Sequence, residues 1–173
     1  MMPATDAQMP TRPLVAGLDV GTHAAKCLVC DRQGRVLAQS SFEYSLQYPC
    51  AGWVEQEAED LWAAALAALR EAARQARKAG PIVAVSLSSQ GGTTIPVDEQ
   101  CRPLRPAVSW LDTRARAEGE RIAAELGQDV LCTATGWEAS AYLPLLHIAW
   151  LRTHEPRTYQ RARRYLFVND LVI

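Results

Sequence analysis

The order of elements written in this sequence predicts an α/β domain, with helices packed on a mixed sheet. Three observations carry that prediction. Leu14–Asp19, Ala24–Cys30 and Val36–Phe42 read as short strands joined by tight turns, which is an antiparallel meander. A long amphipathic helix follows, roughly Ala58 to Ala79. Ile82–Leu87 is then a short, wholly apolar run after a helix, the mark of a parallel strand covered on both faces. The expected sheet has about five strands, with Leu14–Asp19 central and beside Ile82–Leu87.

Each element follows from local chemistry. The first strand, Leu14-Val15-Ala16-Gly17-Leu18, ends in Asp19, and a turn around Gly21-Thr22 returns the chain. Asp31-Arg32-Gln33-Gly34 makes the second turn. Tyr48–Gly52 is a loop, and Glu55-Gln56-Glu57 leads into the long helix. Leu61, Trp62, Ala65, Leu66, Leu69, Ala73 and Ala76 give that helix one apolar face. Acidic residues crowd its start, and Arg74, Arg77 and Lys78 its end, which suits the helix dipole. Gly80-Pro81 stops it. Ile82–Leu87 runs into Ser88-Ser89-Gln90-Gly91-Gly92-Thr93-Thr94, and small polar residues there mark a ligand edge. Ile95–Asp98 is a short extended piece. Helices follow near Arg114–Leu126 and Leu143–Arg152, the second interrupted early by Pro144. Tyr165–Val168 reads as a last short strand before Asn169-Asp170.

Bulk properties narrow the function. The chain has 173 residues and a net charge of −1, so bulk charge does not point to nucleic acid. No apolar run is long enough to span a bilayer. Met1–Pro13 is polar and lacks an apolar core, which reads as a disordered leader and not a signal peptide. These features place the protein in the cytoplasm as an expectation. The five cysteines, Cys27, Cys30, Cys50, Cys101 and Cys132, are odd in number and scattered, which speaks against a disulfide framework. Cys27 and Cys30 lie three apart in a strand and face opposite ways, so they read as buried thiols and not as half a zinc site.

The turn after the first strand carries the chemistry. Gly21 and Thr22 offer backbone N–H groups and a hydroxyl, and Lys26 an ammonium, all suited to an anion. Asp19 stands at the same spot and repels a bare phosphate by roughly 4 kcal/mol at 4 Å and an effective dielectric of 20. The set is consistent once a cation sits between them, so it reads as a site for a metal-bound nucleotide, most simply ATP with Mg2+. The same residues also fit an ordinary hairpin turn.

Several motifs together resemble the FGGY carbohydrate kinases, a family that includes xylulokinases and glycerol kinases. They are Gly17-Leu-Asp-Val-Gly-Thr22 with Lys26, Gly52-Trp-Val-Glu-Gln56, Ser88-Ser-Gln90 and Trp110-Leu-Asp-Thr-Arg114. Thr135-Gly136, Leu145-Leu-His-Ile-Ala-Trp150 with Glu155-Pro156, and Asn169-Asp170 follow in the family's order. The resemblance covers nearly everything after Pro13. It implies the ribonuclease-H-like sheet of actin- and hexokinase-type ATPases. It also implies transfer of the ATP γ-phosphate to a hydroxyl of a sugar or polyol.

The resemblance gives residues their expected roles. Asp19 matches a metal- and phosphate-adjacent aspartate that would hold Mg2+ through water. Gly21, Thr22 and Lys26 match the rest of the phosphate motif. Gln90, Gly91 and Gly92 match the segment that holds substrate hydroxyls, and Trp110, Asp112 and Arg114 a substrate-side motif. Tyr142 lies where glycerol kinases place a tyrosine on the polyol. Each has a plainer reading beside it: Trp110 as core, Asp112 and Arg114 as a helix cap with its partner, Lys26 as a solvated strand residue. Trp53-Val54-Glu55 reads as packing and capping, and His23, His147 and His154 as surface or satisfied histidines.

Two departures from the family shape the expectation. Glycerol kinases carry an Arg-Glu pair and xylulokinases Met-His where this chain has Gly91-Gly92. That argues against glycerol, leaves space for a bulkier substrate, and points first to a ketopentose such as xylulose. The second departure is length. Residues 14–173 correspond to an incomplete N-terminal kinase domain. A family member would continue through the rest of this domain and a whole C-terminal domain, which the resemblance implies would hold the general base, a second phosphate motif and the adenosine pocket. The chain by itself is therefore expected to be inactive. The alternatives are a non-catalytic sugar-binding or truncated product, and another ATPase of actin-like fold.

Overall fold

A computed structural model describes residues 12–137 and 142–173. Most of the expected Met1–Pro13 leader lies outside the described residues. The chain divides into two compact units, Met1–Glu43 with Ala64–Ser88, and Tyr44–Ala63 with Ser89–Ile173.

The first unit is built on a sheet of four strands in the order β3-β2-β1-β5. β1 (Leu14–Val20), β2 (Ala24–Cys30) and β3 (Val36–Glu43) form the expected antiparallel meander. β1 lies beside β5 (Ile82–Ser89), as the sequence predicts, and Leu14 N–H donates to the Pro81 carbonyl at 2.9 Å. Alternation along the meander sorts its side chains by face. Leu14, Ala16, Leu18, Val20, Ala25, Cys27, Val29 and Ala38 are buried, and their neighbours in sequence point outward. The buried face is covered by α1 (Ala58–Ala76), onto which Ser40 Oγ donates at the Ala68 carbonyl, 2.6 Å away.

Three expectations need correction here. The helix ends at Ala76, three residues before the sequence-based end. Its buried stripe runs through Leu61, Ala64, Ala65, Ala68, Ala72 and Ala76, while Trp62 is exposed. Alanines sit on the packed side because a short side chain lets helix and sheet approach closely. β5 is not covered on both faces either: Val83 and Val85 are 45% and 51% exposed, because β5 forms an edge of this sheet and no described element shields it.

The second unit carries short ladders. β4 (Glu55–Gln56) pairs with β7 (Ala107–Val108), and β6 (Ile95–Val97) pairs with β8 (Arg164–Leu166), both antiparallel. Among the described residues, the single sheet of about five strands is thus replaced by one of four and two of two. Pro96, inside β6, has no N–H to extend the ladder. Around them pack α2 (Arg116–Leu126), α3 (Gln128–Thr135), α4 (Pro144–His154), α5 (Pro156–Arg161) and α6 (Val168–Val172). Pro144 starts α4 and does not interrupt it: at the first helical position its missing N–H would have had no partner. One core gathers Ala115, Leu143, Leu146, Trp150 and Leu151, and a second Ala58, Ile95, Val97 and Ala107.

Candidate functional site

The first set of predicted residues lies at the β1–β2 turn. Gly21 N–H donates to the Ala24 carbonyl at 3.0 Å and closes the turn. Asp19 Oδ2 lies 3.8 Å from the position a Cβ on Gly21 would occupy, so the carboxylate rests in ordinary contact range of the turn. Asp19 and Lys26 are direct cross-strand partners, and both are exposed. No ion pair joins them, nor does either pair with another described residue. Thr22 follows in the turn and is half-buried. No group of three or more His, Cys, Asp or Glu able to hold a metal occurs among the described residues. A single free carboxylate fits Mg2+, which commonly takes one or two carboxylates and completes its shell with phosphate oxygens and water.

The second set lies in the other unit. Gln90 Nε2 donates to Gln56 Oε1 at 2.9 Å, and Gln90 Oε1 is buried with no partner among the described residues. Gly91 faces open space. Gly92 does not. Its φ is +79°, and a Cβ there would meet Trp110 Cβ at 3.1 Å and the Tyr142 carbonyl oxygen at 3.5 Å. The space expected beside both glycines is found only at Gly91; Trp110 and the Tyr142 backbone occupy the space beside Gly92. The two rings remain well exposed, at 38% and 47%. Gly92, Trp110 and Tyr142 are thus brought to one place, with Trp110 N–H on Thr93 Oγ1 at 3.3 Å.

Asp112 and Arg114 are not part of that surface. Asp112 is fully buried, and its carboxylate accepts Val54 N–H at 2.6 Å, Arg114 N–H at 2.8 Å, and Arg114 Nε and Nη2 at 2.9 and 2.8 Å. Arg114 Nη2 also donates to Glu55 Oε1 at 2.7 Å, and its guanidinium stacks 3.8 Å over the Trp53 ring and 5.0 Å from that of Trp150. Glu55 accepts from Arg105 as well, whose Nη1 reaches Glu155 Oε1 at 2.5 Å. Burial disfavours the Arg114 charge, but hydrogen bonds to Asp112 and Glu55 more than offset it, and its pKa is raised. The carboxylate lone pairs of Asp112 are taken, so a sugar hydroxyl finds no acceptor there. Asp112 is not the helix cap that the plainer reading expected either: the N-cap of α2 is Ala115, with no side-chain hydrogen bond, and Asp112 and Arg114 form a buried ion pair ahead of that helix.

Sequence reasoning did not place Glu55, Arg105 and Glu155 in one network. Glu55 and Arg114 are 59 residues apart, and no periodicity links them. The available signal was local: acids and arginines flanked by apolar residues and prolines. Of the histidines expected to be surface or satisfied, His147 is buried, with Nδ1 3.1 Å from Thr94 Oγ1. All five cysteines are free; Cys27 is buried, while Cys50 and Cys101 are exposed.

Comparison with known proteins settles the family. The FGGY family of carbohydrate kinases, N-terminal domain, matches residues 14–173. The chain belongs to this family. It is 31% identical over 156 residues to a glycerol kinase of Rhodospirillum centenum, a match covering 89% of this chain and 31% of that protein. It is 30% identical to a xylulose kinase of Staphylococcus xylosus, over 92% of this chain and 33% of that one. The crystal structure of xylulose kinase from Rhodospirillum rubrum superposes with a TM-score of 0.88 at 23% identity, over 92% of this chain and 33% of that chain. The fold is therefore the one expected, a mixed sheet with flanking helices, shared with these kinase structures. The chain spans about a third of the length of the relatives it matches. No helix among the described residues is long and apolar enough to cross a membrane.

Proposed function

We propose that this chain is the N-terminal part of an ATP-dependent sugar or polyol kinase, and that it carries the first phosphate site and part of the substrate site. The observation that supports this most is the state of Asp19 and Lys26. Two opposite charges face each other across adjacent strands, exposed and unpaired, in a chain of a kinase family. Their own ion pair would neutralise both, whereas a metal-bound phosphate uses both. Mg2+, when bound, neutralises phosphate charge next to Asp19. Lys26 and the Gly21–Thr22 turn then present donors to phosphate oxygens.

On the substrate side, Gln90 Oε1 is a buried acceptor without a donor, a state that disfavours the unliganded protein by about 1–3 kcal/mol. A substrate hydroxyl supplies that donor. Trp110 and Tyr142, exposed beside Gly92, offer apolar surface, and the open position at Gly91 admits a substrate longer than glycerol. A ketopentose such as xylulose is the first candidate. Turnover requires the rest of the kinase, and this chain alone is expected to be inactive, because positioning and charge neutralisation need both sides of a cleft.

The test is a panel of pentoses, ketohexoses, pentitols and glycerol assayed by ADP release, with a longer protein that contains this chain. Asp19→Ala should nearly abolish turnover there; undiminished turnover removes Asp19 from the mechanism. A kcat/KM highest for glycerol would refute the reading of Gly91.

A further inference from the structure

The row of outward-facing side chains that begins at Asp19 does not stop at β2. Register pairs Asp19 with Lys26, and Lys26 with Ser41 on β3. Directly paired residues share a face, with Cβ atoms about 5 Å apart. A carboxylate, an ammonium and a hydroxyl therefore stand in line across three strands. The next row toward the far end is Gly17, Leu28 and Gln39. These residues, together with Ser40, line one open depression of about 550 Å³ on the first unit. Gly17 adds no side chain, and the space above it is open. The two adjacent serines have separate tasks. Ser40 turns inward and donates to the Ala68 carbonyl of α1. Ser41 is exposed, and its hydroxyl has no hydrogen-bond partner among the described residues.

We propose that Ser41 is a further binding residue of the phosphate site. Its hydroxyl and the Lys26 ammonium together hold oxygens of a phosphoryl group whose metal ion faces Asp19. This rests on the phosphate-site reading of Asp19 and Lys26 given above. Hydroxyl and ammonium are both donors, and a hydrogen bond to an ionised oxygen is about twice as strong as one between neutral groups. Gln39 serves as the contrast. It lies two residues along β3, roughly 7 Å from Ser41, too far to share the same phosphoryl group.

The experiment titrates the whole chain with magnesium tripolyphosphate, followed by calorimetry and by phosphorus line broadening. Parent, Asp19→Ala, Ser41→Ala, Ser41→Thr and Gln39→Ala are compared, each first shown to unfold like the parent. All the proposed donors lie on β1–β3, so the probe needs nothing outside this chain. Ser41→Ala should weaken binding about three- to tenfold. Ser41→Thr keeps the hydroxyl and should stay within about twofold of the parent, as should Gln39→Ala. Asp19→Ala should weaken binding by more than about tenfold and abolish its dependence on magnesium. If Ser41→Ala binds like the parent while Asp19→Ala does not, or if Gln39→Ala weakens binding as much as Ser41→Ala, Ser41 has no such role and the reading of Asp19 stands. If the parent does not bind, or Asp19→Ala binds as tightly as the parent, the phosphate reading itself fails and Ser41 falls with it.

Discussion

Asp19 stands across from Lys26, and Asp112 lies two residues before Arg114, yet the two pairs live in opposite surroundings. Asp19 and Lys26 are solvated, face each other in register and do not bond. Asp112 and Arg114 are sealed from solvent, bonded through two guanidinium nitrogens and tied to Glu55. A buried charge must be answered from within the protein, because water cannot answer it. An exposed one keeps its hydrogen-bonding capacity and is free to take a ligand. Burial, and not residue type, separates the pair that can bind from the pair that holds segments together.

The largest effect should come from breaking the buried pair. Arg114→Met leaves Asp112 without its cation and Glu55 with Arg105 alone, and should lower stability by about 3–5 kcal/mol in urea unfolding. Lys26→Met removes the same charge at the exposed pair and should change stability by no more than about 0.5 kcal/mol. Equal effects would erase the distinction between the two sites.

A smaller effect separates the two glycines. Gly92→Ala forces a Cβ at positive φ against Trp110 and should destabilise by about 1–3 kcal/mol. Gly91→Ala points into open space and should stay within about 0.5 kcal/mol. If Gly92→Ala is as mild as Gly91→Ala, Trp110 does not pack against that position.

The smallest effect belongs to a surface pair on α1, Glu71 and Arg74. Hydrogen bonds from Arg74 and Gln75 lower the Glu71 pKa from 4.5 to about 2. Its folded pKa is depressed, so whatever it adds to stability is present above pH 4.5 and is lost as pH falls through about 2. Glu71→Gln should therefore shift the thermal midpoint at pH 7 only slightly, and the two curves should converge toward pH 2. A large shift at pH 7 would show that exposed pairs matter here more than solvent screening allows.

Much of the first unit was legible because its signals are local. Alternation marks β1 to β3, Asp31 to Gly34 the second turn, and Gly80-Pro81 the end of the helix region. Asp19, Gly21, Thr22 and Lys26 lie within eight residues, so the turn that gathers them could be read directly. The second unit was harder. Its ladders are two or three residues long, below the length at which alternation is visible. The helix Gln128–Thr135 lies just beyond Gly127, which ends α2, and was missed because eight residues hold too little periodicity. The stripe of α1 was misplaced by part of a turn, since large apolar residues were given the inward side that alanines occupy. Arg105 and Glu155 reach Glu55 and each other only through tertiary packing, and no sequence spacing encodes that.

The edge formed by β5 bears on how this chain behaves in a test tube. Ile82-Val-Ala-Val-Ser-Leu-Ser-Ser89 contains no charge and no proline, and two of its valines face solvent. Edge strands usually carry a lysine, a proline or a bulge that stops another chain from pairing with them. Without such a guard, two copies can add strand to strand, and the tract also meets the composition of segments that stack into cross-β fibrils. The chain handled alone should therefore lose monomer as its concentration rises, and a lysine at Val83 or Val85 should act as a gatekeeper that keeps it in solution.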